Sequence, residues 1–294
     1  MHKPPLGRLV PVADHHLFLH TSGTGGPTVV FLPGAGLVGL DFLNVQQLAA
    51  DLATSAVYDR AGTGWSTPAD LPRTATEVAT ELRALLHTAS LPGPFVLVGH
   101  SLGAFYARRY AQLFPTEVAG LLLLDPGHED MLTYLPPQAA ELNNRMKQAA
   151  QDMPDLTDDQ LTASRTALTT LYATWPAEVL PPLVEHHLTA WRTGLAEAAN
   201  MDTTVYDELR HGTPLPDVPL TVLTATGRNA YWSQFADEHL VQAAQTGLHA
   251  MHAAIASSVP RGQHRTVDNA SHQYLTIEQP DAVITALADL LKNC

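Results

Sequence analysis

The chain has 294 residues, 45% of them hydrophobic and 15% charged, a balance that excludes a disordered or coiled-coil protein and allows a large buried core. Its 16 Lys and Arg stand against 29 Asp and Glu, a formal net charge of -13, which repels a phosphate backbone and excludes nucleic acid as a natural partner. No stretch approaches the roughly 20 apolar residues of a membrane span, the N-terminal "MHKPPLGRLVPV" lacks a signal-peptide core, and the only cysteine is Cys294, so a protein of the cytoplasm with no internal disulfide and no membrane association is expected.

In chain order, the first hundred residues alternate short β-like runs with turn signals: "HHLFLHT" from His15, "TVVFLPGAG" from Thr28, "SAVYDRAGTGWS" from Ser55 and "FVLVGHS" from Phe95. Between them "ATEVATELRALLHTA" places Val78, Leu82, Leu85 and Leu86 at helical spacing. Strands flanked by helices predict an α/β protein with a mostly parallel, doubly wound sheet covered on both faces. Further strands are expected at 118–126 ("VAGLLLLDP") and 219–227 ("PLTVLTATG"), and "QPDAVITALADLLKN" reads as an amphipathic last helix. Residues 131–215 change character: helical patterns separated by prolines, with no strand-like run. Two regions follow, a core at 1–130 and 216–294 and an inserted all-helical cap at 131–215.

The chemistry centres on Gly99-His100-Ser101-Leu102-Gly103. A serine at a sharp strand-to-helix turn is held in strained backbone geometry, and glycines on either side let neighbouring chains approach that turn. The context fits: "FVLV" precedes the serine, and "LGAFYARRYAQLF" places Leu102, Phe105, Tyr106, Tyr110 and Leu113 on one helical face. Such a helix also directs its first N–H groups at the serine, where an oxyanion would form. His100 is read as a packing residue or one that supports the site from behind, not as the base, because a side chain next in sequence points away from the serine.

These residues resemble the α/β-hydrolase family, and the resemblance runs along nearly the whole chain: "LPGAG" at 32–36, "YDRAGTGWS" at 58–66, "GHSLG" at 99–103 and "NASHQYLTIEQPDAV" at 269–283. It implies Ser101 as nucleophile, His272 as general base and the backbone N–H groups of Ala35 and Leu102 as the oxyanion hole. Pro33 stands where many relatives have histidine. Serine at the elbow argues against epoxide hydrolysis and dehalogenation, which in this family use aspartate there.

The acid is the departure. The strand after the cap, where most relatives carry it, offers Asn229, and an amide cannot balance an imidazolium. Asp125, at the end of the preceding strand, is the favoured replacement, because a strand end holds a side chain more rigidly than a loop; some α/β-hydrolases carry their acid there. Glu129, Asp130 and Asp237 compete, while Asp59 reads as a turn-fixing residue. Tyr172, Trp175, Trp191, Met201, Tyr206 and Trp232 are candidates for an apolar substrate pocket, or for the core of the cap.

The histidine pairs His15-His16 and His186-His187 and the group His249, His252 and His264 lack partners at ligand spacing, so no metal is expected. No cofactor is implied, since the glycine runs lack the phosphate-loop pattern. The expected activity is hydrolysis of a carboxylic ester or lactone of a small to medium apolar molecule. Acyl transfer or C–C bond cleavage on the same residues is the alternative within enzymes, and a small-molecule receptor the alternative outside them. The oligomeric state is not legible in the sequence.

Overall fold

The structure, a computed structural model, describes residues 3–227 and 232–294; Asn229 lies outside the described residues. Eight strands form one sheet in the order β1-β2-β4-β3-β5-β6-β7-β8. They are β1 (Arg8–Val12), β2 (His15–Ser22), β3 (Val29–Leu32), β4 (Ser55–Tyr58), β5 (Phe95–His100), β6 (Val118–Leu124), β7 (Leu220–Ala225) and β8 (Gly262–Val267). β2 runs antiparallel to β1 and β4, and the pairs from β4 through β8 are parallel.

β5 and β6 lie in the middle of the sheet, buried on both faces, and their residues are apolar almost without interruption, as a two-sided parallel strand requires. Their alternate side chains serve opposite faces. Phe95, Leu97, Leu121 and Leu123 pack with helices α2 (Ala75–Thr88), α3 (Leu102–Leu113) and α10 (Glu238–Ala256). Val96, Val98, Leu122 and Leu124 pack with α1 (Leu43–Ala49) and α12 (Pro280–Leu291). Helix α2 starts on a reciprocal cap: Thr74 Oγ1 accepts the Glu77 N–H and the Glu77 carboxylate accepts the Thr74 N–H. The N-terminal strand β1 was not anticipated. Its "RLVPV" contains Pro11, which is compatible with a strand only at a sheet edge, and β1 is the edge.

The connection between β6 and β7 carries helices α4 (Met131–Tyr134), α5 (Gln138–Gln151), α6 (Asp158–Leu171), α7 (Leu180–Thr189), α8 (Thr193–Ala198) and α9 (Tyr206–Arg210). Their inward faces merge with the core. Tyr172, Trp175, Val179 and Leu183 join the apolar cluster on one face of the sheet, and Val205, Tyr206 and Leu209 join that on the other. Among the described residues no helix is long and apolar enough to cross a membrane.

Candidate active site

Ser101 sits between β5 and α3 with φ 50° and ψ -116°, a conformation that costs a non-glycine residue about 1–3 kcal/mol and persists only where the surroundings enforce it. Enforcement comes from both neighbours. A Cβ on Gly103 would lie 2.0 Å from the Leu32 carbonyl oxygen, and one on Gly99 would lie 2.7 Å from Ala104 Cα. No side chain fits at either position, so helix α3 can butt against β3 and turn back sharply on β5.

The Ser101 hydroxyl donates to His272 Nε2 at 3.0 Å, and His272 Nδ1–H donates to Asp125 Oδ2 at 2.6 Å. His272 lies in the loop between β8 and α11 (Leu275–Glu278). Asp125 follows the last residue of β6, has φ 44°, and is 6% exposed. Its other oxygen, Oδ1, accepts the Ala225 N–H at 2.9 Å, so both lone-pair faces of the carboxylate are used and its orientation is fixed. Burial alone would raise the Asp125 pKa, but the hydrogen bond from His272 and the charges of His272 and His252 outweigh it and hold the pKa below the ordinary carboxylate range. For His272 burial works downward, and the hydrogen bond and charge of Asp125 bring the pKa above the ordinary imidazole value. About 43% of the His272 side chain remains accessible, and the ring forms part of the cavity wall described below.

The competing carboxylates are engaged elsewhere. Glu129 takes two hydrogen bonds from Arg108, at 2.8 and 2.7 Å, Asp130 pairs with Arg210, and Asp237 caps α10 by accepting the Leu240 N–H at 2.8 Å. Asp59 accepts N–H groups from Trp65 at 2.8 Å and Gly39 at 2.7 Å, and a Cβ on Gly64 would collide with its Oδ2; burial pushes its pKa up to about 7.

Behind Asp125 three further side chains form a chain of hydrogen bonds. His252 Nε2–H donates to the Pro126 carbonyl at 2.8 Å, which leaves Nδ1 as an acceptor for the Thr224 hydroxyl at 2.7 Å. Thr224 Oγ1 then accepts His264 Nε2–H at 2.7 Å. Two members of the His249, His252 and His264 group thus hold the corner that carries Asp125. Among the described residues no group of three or more His, Cys, Asp or Glu is placed to hold a metal ion. His100, read as a packing or supporting residue, donates its Nε2–H to the backbone carbonyl of His272 at 2.7 Å and fixes the histidine loop. Burial pushes its pKa down to about 4, so it stays neutral.

Ser101 opens into a cavity of about 690 Å³ beneath the inserted helices, of a size suited to a small-molecule ligand. Ala35, Tyr172 and Trp191 belong to its wall. Four of the expected pocket residues lie elsewhere, a correction with one physical cause: their apolar surface fastens the inserted helices down. Trp175 donates to the Leu40 carbonyl at 2.7 Å, Tyr206 stacks on Phe105 with centroids 5.4 Å apart, Met201 packs against the core, and Trp232 lines a separate small hollow with Met131 and Leu135. Leu102 follows Ser101 as the first residue of α3, and its side chain is buried.

Two pairs that sequence reasoning missed also reach this region. Arg60 and Glu197 form a buried ion pair beside the 33–36 loop. Asp41, 2% exposed, accepts from His187 Nε2–H at 2.8 Å and from the Tyr172 hydroxyl at 2.7 Å. For the second pair the adjacent histidines His186-His187 were the available signal, and nothing local pointed from them to Asp41.

Residues 29–286 match the profile of the alpha/beta hydrolase family. The chain belongs to that family. Among curated relatives, the uncharacterized protein YqjL of Bacillus subtilis is 31% identical over 128 residues, 43% of this chain and 51% of YqjL. The chain thus matches about half or less of the length of the first such relatives. Among solved structures, a thermophilic esterase from Thermogutta terrifontis superposes with a TM-score of 0.64 at 21% identity, covering 97% of both chains. The enol-lactonase from Burkholderia xenovorans does so at 0.61 and 17%, covering 97% of this alpha/beta hydrolase and 100% of the lactonase. At such identities the likeness concerns the fold.

Proposed function

We propose that this alpha/beta hydrolase cleaves a carboxylic ester or lactone of a small molecule through an acyl-enzyme on Ser101. The observation that carries the reading is the unbroken chain of hydrogen bonds from Ser101 through His272 to Asp125, opening on the 690 Å³ cavity. Ser101 Oγ attacks the carbonyl carbon while His272 Nε2 takes its proton. Asp125 holds the Nδ1–H tautomer and stabilises the imidazolium. The carbonyl oxygen, now an oxyanion, is received by the N–H groups of Ala35, on the cavity wall, and Leu102, in the first turn of α3, where helix N–H groups have no intrahelical partner. His272 returns the proton to the departing alkoxide, the C–O bond breaks, and a water deprotonated by the same imidazole releases the acid.

A fluorophosphonate followed by intact-protein mass tests this. The wild type is expected to gain one adduct and Ser101→Ala none, with Ser101→Ala also losing all turnover of p-nitrophenyl esters. An adduct on Ser101→Ala, or none on the folded wild type, would overturn the assignment.

A further inference from the structure

The Asp41–His187 pair stands outside the Ser101–His272–Asp125 chain, but its His187 lines the same cavity. Asp41 is fixed on the core by the Val38 N–H, which donates to Oδ2 at 2.7 Å, and its Oδ1 receives His187 Nε2–H from α7. The His187 ring stacks on Tyr172, within 4° of parallel and with centroids 5.8 Å apart, so its plane is set. With Nε2–H committed to Asp41, the remaining polar atom is Nδ1, and among the described residues it makes no hydrogen bond. His187 is a wall residue of the cavity and keeps 14% of its side chain accessible.

The rest of that wall sharpens the contrast. Leu156, Ala167, Leu168, Leu188 and Leu195 make one part of it apolar, and among the described residues no Asp, Glu, Lys or Arg reaches it. Burial pulls the His187 pKa down, but the charge and hydrogen bond of Asp41 carry it above the ordinary value, which extends the imidazolium to higher pH, and in that form Nδ1 is a donor. A hydrocarbon group pressed against it would strip its water and leave a buried donor unsatisfied, whereas an oxygen would satisfy it.

We propose that His187 Nδ1–H is a specificity-determining contact that takes a hydrogen-bond-accepting oxygen, carboxylate or carbonyl, borne by the substrate away from the scissile bond. The substrate class narrows from plain apolar esters to esters or lactones with a second oxygen function. This rests on the reading of Ser101 as the nucleophile, and the test is arranged to separate the two.

Binding is measured by calorimetry on Ser101→Ala, which needs no turnover. The ligands are methyl alkanoates in a graded series of chain lengths, and the same esters ending in a carboxylate or a methyl ketone. At the length that spans the cavity, an oxygen-terminated ester is expected to bind about tenfold more tightly than its alkyl counterpart. Adding His187→Leu should abolish that preference, and His187→Gln, which keeps a donor, should retain part of it; thermal melts verify that each variant is folded. Whichever of carboxylate and ketone binds better identifies the oxygen. Equal binding of all three at every length, or a preference that survives in His187→Leu, overturns the proposal. Should His187→Leu not fold, the length series and the Gln variant decide. Absence of a fluorophosphonate adduct on the wild type would remove the nucleophile reading and leave this binding preference standing.

Discussion

Arg60, from the turn after β4, and Glu197, from α8, meet as an ion pair at 2.6 Å with 2% and 3% of their side chains exposed. Together they grip the loop that carries Ala35. Arg60 donates to the Pro33 and Gly34 carbonyls at 2.7 and 3.1 Å, and Glu197 accepts the Gly36 N–H at 2.9 Å. Helix α8 lies so close that a Cβ on Gly194 would fall 2.8 Å from Gly36 Cα. The placement of the Ala35 N–H therefore depends on the inserted helices being seated.

Glu197→Gln leaves the Arg60 guanidinium buried without a counter-charge, a change that costs about 3–5 kcal/mol. The expected outcome is a clearly lower Tm together with slower fluorophosphonate labelling of Ser101. A variant that melts and labels like the wild type would show that the loop is held by other means.

Asp125→Asn keeps an oxygen for the Ala225 N–H but removes the charge opposite His272. Turnover of an ester substrate should fall by about 10⁴ in kcat, through loss of the correct tautomer and of imidazolium stabilisation. Circular dichroism should be unchanged. A loss of less than about tenfold would point to a different carboxylate.

The pH dependence follows from His272, which must be neutral to act as base. Asp125 holds its pKa above the ordinary value of about 6.5, so kcat/KM for ester hydrolysis should rise with pH through an inflection above that value. The same shift has a stability consequence of opposite sign. The His272–Asp125 contribution is fully present below about 6.5 on the imidazole side and is lost as pH rises through the folded pKa. On the carboxylate side it is present above about 3.9, and is lost as pH falls through the lowered Asp125 pKa. An inflection below 6 in a pH–rate profile would contradict this account.

Thr224→Val removes the hydroxyl that joins His264 to His252 and leaves His252 Nδ1 buried without a donor, for a loss of about 1–3 kcal/mol. Chemical denaturation should register it, with a smaller change in kcat than Asp125→Asn produces. Unaltered stability would mean that the Pro126 corner needs no support from this network.

The local sequence determined much of the site's framework. Two-sided strands such as "FVLV" and "LLLL", the amphipathic run from Leu102 to Leu113, and glycines flanking Ser101 are patterns within a few residues, and periodicity or a steric requirement fixes them before any long-range contact forms. The strand β1 escaped because Pro11 argues against a strand unless an edge position is already known. Tertiary structure decided what local pattern does not encode. Asp125, Glu129 and Asp130 are near neighbours in sequence, and only the packing of β6 against β7 and the histidine loop turns Asp125 toward His272 while Arg108 and Arg210 draw the others away. Arg60 meets Glu197, and Asp41 meets His187, across more than 130 residues of chain. Such partners are chosen by where helices seat on the sheet and by the need of each buried charge for a counter-charge, and neither leaves a period in the sequence.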